Sequence, residues 1–156
     1  MPDTHLDKIH ILYLENSGLT SLAESIDQLR SLQVLNLYSN QLTSLPESIN
    51  QLKLLRNLYL SSNQLTILPE NIGRLKNLQV LNIGDNKLTV LPESMGELKS
   101  LQRLDASFNQ LTVLPESICR LTSLQKLCTT GNPLASLPES ISQFINELNN
   151  LPVKRK

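Results

Sequence analysis

The stretch Leu32–Leu54, LQVLNLYSNQLTSLPESINQLKL, recurs along the chain at a fixed step of 23 residues. Copies occupy 55–77, 78–100, 101–123 and 124–146, and a looser copy occupies 9–31. Self-similarity at a period of roughly 20–50 residues constrains the fold more than any local signal, because one such unit cannot bury its apolar side alone and must stack on its neighbours. The expectation is an α/β solenoid of six units, with residues 1–8 as a lead-in.

Within one unit, LQVLNLYS alternates with period two and predicts a strand of about five residues. Leu35 and Leu37 then face the interior, and Val34, Asn36 and Tyr38 face solvent. Asn40 follows at the turn, with Asn63, Asn86, Asn109 and Asn132 at the same place in later units. A buried asparagine there can pair with backbone groups that have left the strand ladder, including those of the next coil. This ladder is a structural feature, not a catalytic one. Each unit then reaches Leu-Pro-Glu-Ser-Ile or a close variant. Pro46, Pro69, Pro92, Pro115 and Pro138 suit the first position of a short helix, and the glutamate after each favours its positive end. Gly73 and Gly96 argue for one or two turns of α- or 3₁₀-helix and no more.

The ends depart from the pattern. In the first unit Ser17 replaces the asparagine and Ala23 the proline, as expected of a terminal repeat acting as a cap. At the other end Ile141, Phe144, Ile145 and Leu148 share one helical face, which predicts an amphipathic capping helix over residues 138–149. Residues 150–156 form a tail with Lys154, Arg155 and Lys156 at its end.

Lysines and arginines number 14, as do aspartates and glutamates, so nothing favours a nucleic-acid or anionic-membrane surface. The two cysteines, Cys119 and Cys128, fall in different parts of adjacent units. With no export signal and no long apolar run, the chain reads as a cytoplasmic monomer in a reducing compartment.

Only 3% of residues are aromatic, which makes their positions informative. All three tyrosines, Tyr13, Tyr38 and Tyr59, fall at outward strand positions of neighbouring units, and Phe108 stands just before a ladder asparagine. Tyrosine joins large apolar area to a polar tip at low rotamer entropy, so a patch of them suits a protein partner. Arg103, Asp105 and Lys126, with Asp85 one unit earlier, make a second, charged group in which Arg103 competes for Asp105. Catalysis finds no constellation. Cys128 needs a base, and His10 lies five units away, roughly 24 Å at the strand spacing. No metal-ligand spacing, phosphate-binding loop or hydrolase motif occurs, so neither metal nor cofactor is expected.

The repeating L-x-x-L-x-L-x-x-N-x-L-x-x-L-P-x-x-I pattern, from Ile9 to Phe144, resembles the leucine-rich repeat family. That resemblance implies a right-handed horseshoe segment with a parallel sheet on the concave face, short helices on the convex face, and proteins bound on the sheet. The 23-residue Leu-Pro-x-x-Ile form is similar to intracellular Ras-group and scaffold proteins, and to repeats of bacterial effectors. It implies a non-enzymatic binding module, either an effector translocated into a host cell without a classical signal peptide or a scaffold segment of a larger signalling protein.

Overall fold

A computed structural model describes residues 5–152, so the basic tail at 154–156 and the first half of the lead-in lie outside the described residues. Six strands, β1 (Ile11–Tyr13), β2 (Val34–Asn36), β3 (Asn57–Tyr59), β4 (Val80–Asn82), β5 (Arg103–Asp105) and β6 (Lys126–Cys128), form one parallel sheet in chain order. Register follows the sequence step at every pairing, so Ile11, Val34, Asn57, Val80, Arg103 and Lys126 make one row across the sheet. The fold is a leucine-rich repeat solenoid.

The strands are three residues long, not five, and at β2, β4 and β5 a side chain marks the end. The Asn36 Oδ1 accepts the amide hydrogen of Tyr38 at 3.0 Å, turning the chain locally. Asn82 does the same for Gly84 and Asp105 for Ser107. Backbone pairing between coils nevertheless continues past the strands: the amides of Leu37 and Ser39 donate to the carbonyls of Tyr59 and Ser61.

After each turn the chain runs to a 3₁₀-helix, as at Glu47–Gln51, Glu93–Glu97 and Glu116–Arg120. Pro46, Pro92, Pro115 and Pro138 stand one residue earlier than expected, as caps, and Pro69 stands three residues before its helix, Ile72–Arg74. Pro46 is extended, with φ −67° and ψ 146°, and its carbonyl accepts the first helical bond, from Ile49. Its ring therefore fixes the entry to the helix while Glu47 takes the first helical place. Ala23 holds the same backbone, φ −69° and ψ 147°, which explains why the first coil closes without proline. Gly73 and Gly96 do more than shorten a helix. A β-carbon on either would collide with the carbonyl of Ser94 or Ser117, so they let helices of successive coils touch.

Between sheet and helices runs the core. In the second coil Leu32, Leu35, Leu37, Leu42, Leu45, Ile49 and Leu52 are all buried, and the pattern repeats through the fifth coil. At the first coil Leu12, Leu14, Leu19 and Leu22 are only partly buried, with Leu6 packed beside them from the 3₁₀-turn His5–Lys8. The last coil replaces its 3₁₀-helix with a longer one, α1 (Glu139–Asn149). Ile141 is fully buried, while Phe144, Ile145 and Leu148 pack against the core and Gln143 and Glu147 face solvent. Without a helix like α1, the leucines of the last coil would present an apolar end to water.

Candidate functional site

The asparagine ladder positions the solvent-facing side of the sheet. In Asn86, Oδ1 accepts the Leu65 amide at 3.0 Å, while Nδ2 donates to the carbonyls of Leu60 and Ile83. Asn40, Asn63, Asn109 and Asn132 repeat this arrangement. The inter-coil bonds run to the preceding coil, not to the next one. That direction accounts for Ser17: the described residues place no repeat before the first coil for it to bridge, and Asn40 accepts its amide instead. Asn132 is only partly buried: it stands in the last coil, and among the described residues no further coil packs on its outer side.

Just before each ladder residue the backbone enters the left-handed region. Asn16, Ser39, Ser62, Asp85 and Phe108 have φ between 51° and 55°, and Gly131 has φ 74°. The reversal swings the asparagine that follows into the core while the residue itself stays at the surface. The asparagine, aspartate and glycine in this row were the available sequence signal, since these types tolerate the conformation best. Phenylalanine does not. Phe108 is 63% exposed and held where an aromatic residue is a backbone outlier. Strain of this kind, of the order of 1–3 kcal/mol, concentrates at functional positions.

The three tyrosines are not equivalent. Tyr13 is 62% exposed and Tyr38 is also exposed. Tyr59 is half-buried, and its hydroxyl accepts a hydrogen bond from Asn57 Nδ2 at 3.0 Å. Tyr13 and Tyr59 share one row with Asn36 between them, and Tyr38 lies two residues beyond Asn36. The tyrosine region is thus a staggered row, not three adjacent rings.

Towards the other end Arg103 and Lys126 are direct register partners, both exposed. The anticipated pairing of Arg103 with Asp105 is not formed. Asp105 instead accepts from both the amide and the hydroxyl of Ser107, which uses the carboxylate to close the turn. Neither Arg103 nor Lys126 has an ion-pair partner among the described residues. Asp85 accepts a hydrogen bond from the Ser62 hydroxyl at 2.8 Å and remains exposed. The sheet side therefore carries aromatic area at one end, free positive charge at the other, and Phe108 standing beyond the end of β5.

Cys128 lies in β6 and is half-buried; Cys119, on the helix side, has its thiol pushed up first by burial and then by the nearby Glu116. His10 is engaged with the Ser31 carbonyl at 3.1 Å, at the far end of the sheet from Cys128. Among the described residues no group of histidine, cysteine, aspartate or glutamate side chains is arranged to hold a metal ion, and no helix is long and apolar enough to cross a membrane.

Comparison with known proteins agrees with this geometry. A family model described as a leucine-rich repeat region matches residues 52–155, and a second leucine-rich repeat model matches residues 7–65. The chain belongs to the leucine-rich repeat family. A leucine-rich repeat protein of Leptospira interrogans superposes with a TM-score of 0.82 at 43% identity, over 85% of this chain and 34% of that one. The functional domain of InlJ from Listeria monocytogenes, described as including a cysteine ladder, gives 0.75 at 29% identity, over 86% and 28%. The plant peptide hormone receptor RGFR1, solved in complex with RGF2, gives 0.70 at 34%, over 80% and 21%. The chain thus spans about a third of the Leptospira protein and less of the others. No curated protein matches it at a significant level. Leucine-rich repeat domains are, in general, scaffolds for protein interaction.

Proposed function

We propose that the chain is a non-enzymatic module that binds a partner protein on the solvent-facing side of its sheet. The observation that carries this reading is Phe108, a large apolar side chain kept exposed at a strained backbone position where most of its counterparts are small and polar. Nothing in the core requires an aromatic ring there. Tyr13, Tyr38 and Tyr59 supply the remaining aromatic area, while Arg103 and Lys126 favour a partner with an acidic patch, and Asp85 adds one opposing charge. Asp105 contributes through the turn it closes.

The finer form of the reading is a bacterial effector that meets its protein partner in the cytoplasm of a host cell. Two of the similar structures, from Leptospira and Listeria, are bacterial, which supports it. A scaffold segment of a larger signalling protein would use the same face.

Site-specific photocrosslinking tests the choice of face. A photoreactive phenylalanine analogue in place of Tyr38 should form covalent adducts with a partner protein, and the same analogue in place of Lys53, on the helix side, should not. Adducts formed only from position 53 would overturn the assignment.

A further inference from the structure

A second surface lies away from the sheet, on the segment that leads from each turn to its helix. Just before the leucine of each Leu-Pro, or of Leu22-Ala23 in the first unit, stand Ser21, Ser44, Ile67, Val90, Val113 and Ser136. The three central coils thus carry β-branched aliphatics at a position where the other three carry serine. None of the three is core: Ile67 is 54% exposed, Val90 46% and Val113 55%. Together they wall an open groove of about 360 Å³ whose lining also includes Glu70, Glu93 and Glu116. These carboxylates form no ion pair or side-chain hydrogen bond among the described residues. An apolar row and an unpaired anionic row therefore run side by side across three coils.

We propose that this groove docks a basic amphipathic helix of a partner protein, lying along the solenoid axis. Spacing selects a helix. The strands of successive coils lie ~4.8 Å apart, and close approach of the coils at Gly73 and Gly96 keeps the step short on the helix side too. Two steps, from Ile67 to Val113, thus measure about 10 Å on the strand spacing. Helical residues at i, i+3 or i+4, and i+7 rise by about 5 and 10.5 Å and stay in step with that row. Same-face residues of an extended strand, about 6.7 Å apart, fall out of step by the third coil. Charge selects the flank. Lysines or arginines beside the apolar stripe meet Glu70, Glu93 and Glu116, whereas an acidic helix would be repelled. A second copy of this chain does not supply the occupant through α1, which carries Glu139 and Glu147, contains no basic residue, and has its apolar face on the core.

The test uses the intact chain and a synthetic helical peptide of about fifteen residues, with leucines at i, i+4, i+7 and i+11 and lysines flanking them. Two control peptides keep the leucines but replace lysine with glutamate, or keep the composition but scramble the order. Titration followed by amide NMR should shift residues around Ile67, Val90 and Val113 with the first peptide only. The triple variant Ile67→Ser, Val90→Ser, Val113→Ser copies residues already present in the other coils and should keep the parent melting curve. It should weaken the peptide at least tenfold. Glu70→Gln, Glu93→Gln, Glu116→Gln should weaken it severalfold at low salt and little at high salt, while Tyr13→Ala with Tyr38→Ala leaves it unchanged, which separates this groove from the sheet face. Equal binding of the scrambled or glutamate peptide, full affinity in the serine variant, or loss of affinity in the tyrosine variant would each overturn the proposal.

Discussion

The ring of Phe108 lies across Gly131 so closely that a β-carbon on that glycine would stand 2.5 Å from Phe108 Cδ1. Both residues sit at positive φ, one coil apart in the same row, so the exposed aromatic and the bare backbone beneath it form one feature. Gly131→Ala should therefore cost ~1–3 kcal/mol, from the strained φ and from displacement of the ring. Phe108→Asn should behave oppositely. Asparagine already occupies the equivalent position at Asn16, and relief of left-handed strain of ~1–2 kcal/mol offsets the lost contact. Denaturant midpoints decide both. A Phe108→Asn chain clearly less stable than the parent would show that the ring serves the fold and not a partner.

The ladder predicts a gradient. Asn86→Ala removes a buried side chain that is hydrogen-bonded to four backbone groups in the central coils, and should cost ~1–3 kcal/mol. Asn132→Ala, at a partly buried position, should cost less. Equal losses in chemical denaturation would mean that burial does not set the value of these bonds.

For the C-terminal helix, Ile141→Ala should cost ~2–4 kcal/mol, since the side chain is fully buried against the last coils. Truncation after Pro138 goes further and should promote aggregation, because it bares the leucines that α1 covers. A truncated chain that stays monomeric with unchanged melting would remove the capping role.

One carboxylate gives a pH signature. Glu97 accepts a hydrogen bond from Lys76 at 2.9 Å, and this bond, aided by the lysine's charge, holds its carboxyl below the usual value. Because the folded value is depressed, the pair's contribution is present above the unfolded carboxylate range and is lost as pH falls through the folded one. The site is exposed, so the effect on stability is small and the titration itself is the better readout. Carbon-detected NMR should show the Glu97 midpoint rising in Lys76→Met. An unchanged midpoint would remove the lysine as its cause.

Much of this architecture was legible because repetition supplies its own register. The 23-residue step places Ile11, Val34 and Asn57 in one row without any knowledge of their neighbours, and the alternation of Leu35 and Leu37 gives the buried side. Features that depend on direction were not legible. Adjacent coils present the same atoms to Asn86, so the sequence did not say whether its bonds run forward or back. Pro46 marks a helix entry, yet its ψ decides whether it is the cap or the first helical residue. Asp105 shows the limit for side chains: a carboxylate beside Arg103 in sequence was taken by Ser107 to close a turn. The column of Ile67, Val90 and Val113 follows from the repeat, but only the fold shows Glu70, Glu93 and Glu116 lining the same hollow.

The claim that the sheet side binds a protein partner is tested most directly by titration calorimetry with the partner captured through position 38. Tyr38→Ala combined with Phe108→Ala should fold as the parent does and weaken the complex at least tenfold, a loss of ~1.4 kcal/mol or more. Lys53→Ala combined with Lys76→Ala, on the helix side, should leave the affinity within about twofold. Full affinity in the aromatic pair together with loss in the lysine pair would contradict the account.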